Sequence, residues 1–101
     1  MKMDTGDILS NLEFSEDHPV RTMLLQKNDY AILRIALGKG TKIMPHEDAH
    51  PVFFLILKGK GIITCGEREL ELGPNQYIHI EKDEKRGIQA LEDLVIFAIK
   101  E

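Results

Sequence analysis

The sequence predicts an all-β domain of short antiparallel strands. Three observations carry that reading. Seven apolar runs rich in β-branched and aromatic residues follow one another at intervals of about ten residues. Breaks at Gly38, Gly59, Gly66 and the pair Gly73, Pro74 separate them. One run alternates strictly, with Leu70 and Leu72 between Glu69 and Glu71, as in a strand with one face in water. Such spacing is that of an antiparallel sandwich or barrel.

Taken in chain order, residues 6–14, "GDILSNLEF", are the one stretch with a helical look. Asp7 could cap one or two turns carrying Ile8, Leu9 and Leu12 on one side. The strands then begin with "YAILRIAL" (30–37) and "VFFLIL" (52–57). The second of these is apolar on both faces. In a chain of 101 residues it requires a further layer over it, from the N-terminal segment or from another subunit, so a homodimer is expected. "GIITC" (61–65) and "RELEL" (68–72) read as a hairpin. In "QYIHI" (76–80), Tyr77 and His79 share the face opposite Ile78 and Ile80. "GIQAL" (87–91) and "LVIFAI" (94–99) complete the set.

The length allows one domain, 1–101, with residues 1–29 as a segment packed on a barrel core of 30–99. A net charge of −4, with no Lys/Arg cluster free of intervening acids, speaks against nucleic acid or anionic membrane as partners. Cys65 is the single cysteine, and the start "MKMDTGDILS" has no apolar leader core, so a reduced, cytoplasmic setting is expected. The longest apolar run falls far short of the roughly 20 residues of a membrane helix.

The spacing of glycines and histidines resembles that of the small single-domain cupins. Their first motif runs Gly, five residues, His-x-His, three or four residues, Glu, six residues, Gly. Here Gly40, five residues and His46 fit, and Gly59 closes the motif. Asp48 stands in the place of the second histidine, and Val52 in the place of the glutamate. The second motif begins with Gly73 and reaches His79, where the family has proline. Across a loop longer than the family's, from Glu81 to Lys85, "ALED" (90–93) then aligns so that Arg86 replaces the last metal histidine. The resemblance covers about Tyr30 to Ile99. It implies a small antiparallel jelly-roll barrel and a pocket with residues from both motifs.

Four candidates follow from the chemistry of these residues. His46, after Pro45, is placed to aim at the barrel cavity, and imidazole ligates Zn, Fe, Ni or Cu. His50 lies four residues on, but Pro45 and Pro51 forbid a helix that would align the two, and an extended chain separates them by roughly 13 Å, so only a turn could join them. His79 could meet His46 if its face is the cavity face. Arg86 stays protonated and so cannot ligate a metal, but could pair with Asp48 or hold an anionic ligand bidentately. Cys65 has no sequence-local base to activate it and reads as a small hydrophobe.

The expected function is therefore binding of a small molecule of unassigned identity, by His46, Asp48, Tyr77, His79 and Arg86 at the mouth of an apolar pocket. No cofactor is expected, because Val52 and Arg86 remove two of the family's four metal donors. The alternative is a metal-dependent oxygenase or isomerase holding a divalent transition metal through His46, His50 and His79.

Overall fold

Among the described residues the fold has nine strands: β1 (Val20–Gln26), β2 (Ala31–Leu37), β3 (Lys42–His46), β4 (Val52–Lys58), β5 (Gly61–Cys65), β6 (Arg68–Leu72), β7 (Tyr77–Ile80), β8 (Arg86–Ala90) and β9 (Leu94–Lys100). They are seen in a computed structural model that describes residues 5–101, so the first four residues of the N-terminal segment lie outside the described residues. One sheet has the order β1-β2-β9-β4-β7 and the other β3-β8-β5-β6. Every pairing is antiparallel. The two sheets face one another as a jelly roll, and no helix of the described residues is long and apolar enough to cross a membrane.

All seven apolar runs become strands, and two further strands lack an alternating pattern for physical reasons. β1 is a sheet edge whose register shifts between Met23 and Leu25, so its apolar residues do not keep to one face. β3 holds Pro45, which has no N–H to give, and its register shifts between Ile43 and His46. The expected N-terminal helix is reduced to one turn. Asp7 does cap it, accepting from the Leu9 N–H at 3.0 Å and, through its carbonyl, from the Ser10 N–H at 3.1 Å. Asn11 then takes φ +55°, and this left-handed residue ends the turn before a second can form.

Alternation assigns the faces. Ile35 and Leu37 of β2, Val52, Phe54 and Ile56 of β4, Ile63, Ile80, Ile88, and Leu94, Ile96 and Ala98 of β9 form the core between the sheets. The intervening residues of the five-stranded sheet point outward. Register lines them up in rows: Leu25, Ile32, Ile99, Phe53 and His79 in one, and Thr22, Arg34, Phe97, Leu55 and Tyr77 in the next. The outer face of β4 is flanked by these neighbours and stays partly exposed, with Phe53 stacked on Tyr77 at 5.4 Å between ring centres. The N-terminal segment is tied to β2, two strands from β4, where Arg34 donates to the carbonyls of Ile8, Ser10 and Asn11.

Gly59 shows how tightly the strand connections are held. It has φ +83° between β4 and β5, and a Cβ there would collide with the Asp93 carbonyl. A side chain at this position would strain the backbone and push β9 away.

Candidate functional site

At one end of the barrel β3 and β8 run side by side, and register puts His46 opposite Arg86. The bulge in β3 turns its last residues, and Gly87 is what lets them lie against β8. A Cβ on Gly87 would come within 3.0 Å of the Ile43 carbonyl oxygen and the Pro45 nitrogen. Beside this contact opens a cavity of about 130 Å³. Its walls are apolar, with Leu33, Ile35, Ile43, Val52, Phe54, Ile88 and Ala98, and its polar lining is Arg21, His46, Asp48, Arg86 and Lys100.

Arg86 is the most deeply placed of these charges, at 4% exposure. It precedes inward-facing Ile88 and Ala90 in steps of two, so its side chain is on the inner face of β8. One terminal nitrogen donates to the His50 carbonyl at 2.7 Å, and the other to the carbonyls of Glu81 at 3.0 Å and Glu84 at 3.4 Å. Nε is buried with no partner.

The expected Arg86–Asp48 ion pair is not formed. Asp48 instead accepts from the His50 N–H at 2.9 Å and stands 3.4 Å from the Lys100 ammonium. The backbone N–H is the main reason its carboxyl is held below the usual aspartate range, with Lys100 adding to it against partial burial. The short spacing from Asp48 to His50 closes a turn on the aspartate's own side chain, which takes the oxygen that Arg86 would need.

His46 stands exposed at the cavity mouth, its Nδ1 3.0 Å from the Met44 carbonyl oxygen. A carbonyl only accepts, so Nδ1 is the donor in this contact. The other candidate residues are not gathered here. The His50 backbone is used by Arg86 and Asp48, while its side chain borders a separate groove with Met23 and Tyr30. Tyr77 and His79 are on the outer face of β7, because Ile78 and Ile80 take the inner one. His79 stands 3.6 Å from Glu81 there. Cys65 is half-buried beside Glu84, and burial pushes its thiol up, away from nucleophilic use.

Two lining residues were not legible in the sequence. Arg21 belongs to β1, which had no strand pattern. Lys100 continues the inward series Leu94, Ile96, Ala98 by one more step of two, a signal that could have identified it.

All four positions aligned with the cupin metal ligands, His46, Asp48, Val52 and Arg86, border this one cavity. Only His46 and Asp48 can donate to a metal, and Arg86 adds a fixed positive charge. Among the described residues no three His, Cys, Asp or Glu side chains are grouped to hold a metal ion. These residues do not fit the family's four-ligand centre.

No protein-family model matches the chain, and no curated protein does. Solved structures match over nearly its whole length. A protein of Thermus thermophilus superposes with a TM-score of 0.90 at 15% identity, over 97% of this chain and 96% of that one. An RmlC-like cupin from Desulfovibrio desulfuricans gives 0.87 at 14% identity, over 98% and 96%. A cupin superfamily protein from Desulfitobacterium hafniense gives 0.84 at 19%, over 98% and 92%. The fold is that of a small cupin domain.

Proposed function

We propose that this cupin domain binds a small organic molecule in the cavity at the His46–Arg86 end of the barrel, without a four-ligand metal centre. The observation that carries the reading is the convergence of His46 and Asp48, from one stretch of chain, and buried Arg86, from another, on one apolar-walled cavity. A few polar groups converging in an apolar concavity are the usual form of such a site. A fragment screen followed by amide NMR tests it. Hits should shift Ile35, Val52 and Ile88 together, whereas an absence of hits, or hits confined to the outer faces, would refute it.

The metal-enzyme alternative finds less support, since His50 and His79 lie apart from His46. Elemental analysis after soaking with Ni, Zn, Fe and Mn distinguishes the two. Stoichiometric metal that survives chelation would favour the enzyme reading.

The proposal also includes a homodimer through the outer face of the five-stranded sheet, where Ile32, Phe53, Leu55, Phe97 and Ile99 form adjoining rows. Sedimentation at micromolar concentration should then give about twice the 11.5 kDa chain mass. A monomer at every concentration would overturn it.

A further inference from the structure

Resting on that reading, the structure assigns a ligand class: we propose that the cavity takes a small monocarboxylate with a short apolar tail. The carboxylate lies at the end of the cavity lined by Arg21, Arg86 and Lys100. The tail lies among Ile35, Val52, Phe54 and Ile88.

Charge is the first argument. Arg21, Arg86 and Lys100 line the cavity against one carboxylate, Asp48, and that carboxylate is already engaged by the His50 N–H and by Lys100. The remaining field is positive, in a concavity whose low-dielectric walls strengthen it. A cationic ligand is disfavoured, and an anion is drawn in.

The second argument is the buried guanidinium. Arg86 is nine-tenths buried or more and borders the cavity, with its terminal nitrogens bound only to neutral carbonyls and no carboxylate paired with it among the described residues. A buried cation is stabilised by an opposite charge placed near it. A carboxylate in the cavity supplies that balancing charge.

Size and wall chemistry fix the rest. The cavity of about 130 Å³ is close to the ~150 Å³ cavity known to hold benzene, so the ligand has about six to eight non-hydrogen atoms. Seven apolar side chains in the lining leave one polar end. A phosphate, with acceptors on every side, would press unmatched oxygens against those walls.

The test is titration of the wild-type protein with butanoate, pentanoate and hexanoate, then with the matching primary amides and with inorganic phosphate. The Nε–Hε NMR signals of Arg86 and Arg34 report the contact. The expected result is that the acids shift the Arg86 signal and not the Arg34 signal, and bind about tenfold or more tighter than their amides. Arg21→Gln, at an exposed position, should weaken the acids and leave the amides unchanged. Amides binding as tightly as acids would overturn the carboxylate assignment while the cavity reading stood. Phosphate displacing the acids at equal concentration would overturn the apolar-tail assignment. Binding of neither acids nor amides would remove both the inference and the reading beneath it.

Discussion

Arg34 and Arg86 are both buried guanidinium groups without a carboxylate partner among the described residues, and both are held by three backbone carbonyls. In each, Nε has no acceptor. The difference lies in where the carbonyls come from and what borders the side chain. Arg34 projects from the outer face of β2, and its carbonyls, those of Ile8, Ser10 and Asn11, come from one exposed turn, with Thr22 Oγ1 at 3.4 Å beside it. Arg86 takes its carbonyls from two loops far apart in sequence, at His50 and at Glu81 and Glu84, and it borders a cavity. The same arrangement of donors thus fastens a segment in one place and joins two loops beside a cavity in the other.

The largest expected effect comes from giving the Arg86 end the donor set of the cupin motifs that the sequence resembles. The combined change Asp48→His, Val52→Glu and Arg86→His would set four donors, with His46, around one cavity and remove its fixed cation. That variant should retain about one Zn or Ni per chain after dialysis. Elemental analysis showing no gain over the unmodified chain would mean that the cavity geometry, and not the missing donors, excludes a metal.

Arg86→Met comes next. It removes charge-assisted bonds to three carbonyls that join two loops far apart in sequence. A loss of about 2–4 kcal/mol in urea unfolding is expected. Arg34→Met should cost less, about 1–2 kcal/mol, because it frees one local turn and not the junction of two loops. Its signature is regional: faster hydrogen exchange near Ser10, with amides of β4 and β8 unchanged. Equal losses from the two substitutions would contradict the distinction between fastening one segment and joining two loops.

The sequence made the strands legible wherever a buried face imposed a pattern, as with "RELEL" and "LVIFAI". It hid β1 and β3, in which a bulge or a proline breaks the alternation. Motif spacing brought His46, Asp48, Val52 and Arg86 to one place because strand register preserves such counts. It misassigned the Arg86 partner, because backbone carbonyls leave no mark in side-chain chemistry. The long loop from Glu81 to Lys85, conspicuous in the sequence, is the one whose carbonyls accept from Arg86. Loop length and the arginine are two aspects of one feature. Tyr77 and His79 went to the wrong side for a simpler reason: alternation places them opposite Ile78 and Ile80 but does not say which of the two faces is inside.

The smallest effect expected is on Asp48, and it separates this carboxylate from the arginine it was expected to neutralise. Its carboxyl is held below the ordinary aspartate value of about 3.9 chiefly by the His50 N–H, with Lys100 assisting and Arg86 contributing least among the causes. A group whose folded value is depressed stabilises the fold above its unfolded value, and loses that contribution as the pH falls through the folded value. Unfolding free energy should therefore be lower at about pH 3 than at neutrality by an amount that Asp48→Asn removes, since the amide cannot titrate. At pH 7 that substitution keeps an oxygen for the His50 N–H and forfeits only the charge, so it should cost less than about 1 kcal/mol. Were Arg86 the true partner, removing the charge would strand a buried cation and cost about 3–5 kcal/mol instead. Urea titrations of both proteins at pH 7 and pH 3 distinguish the two cases.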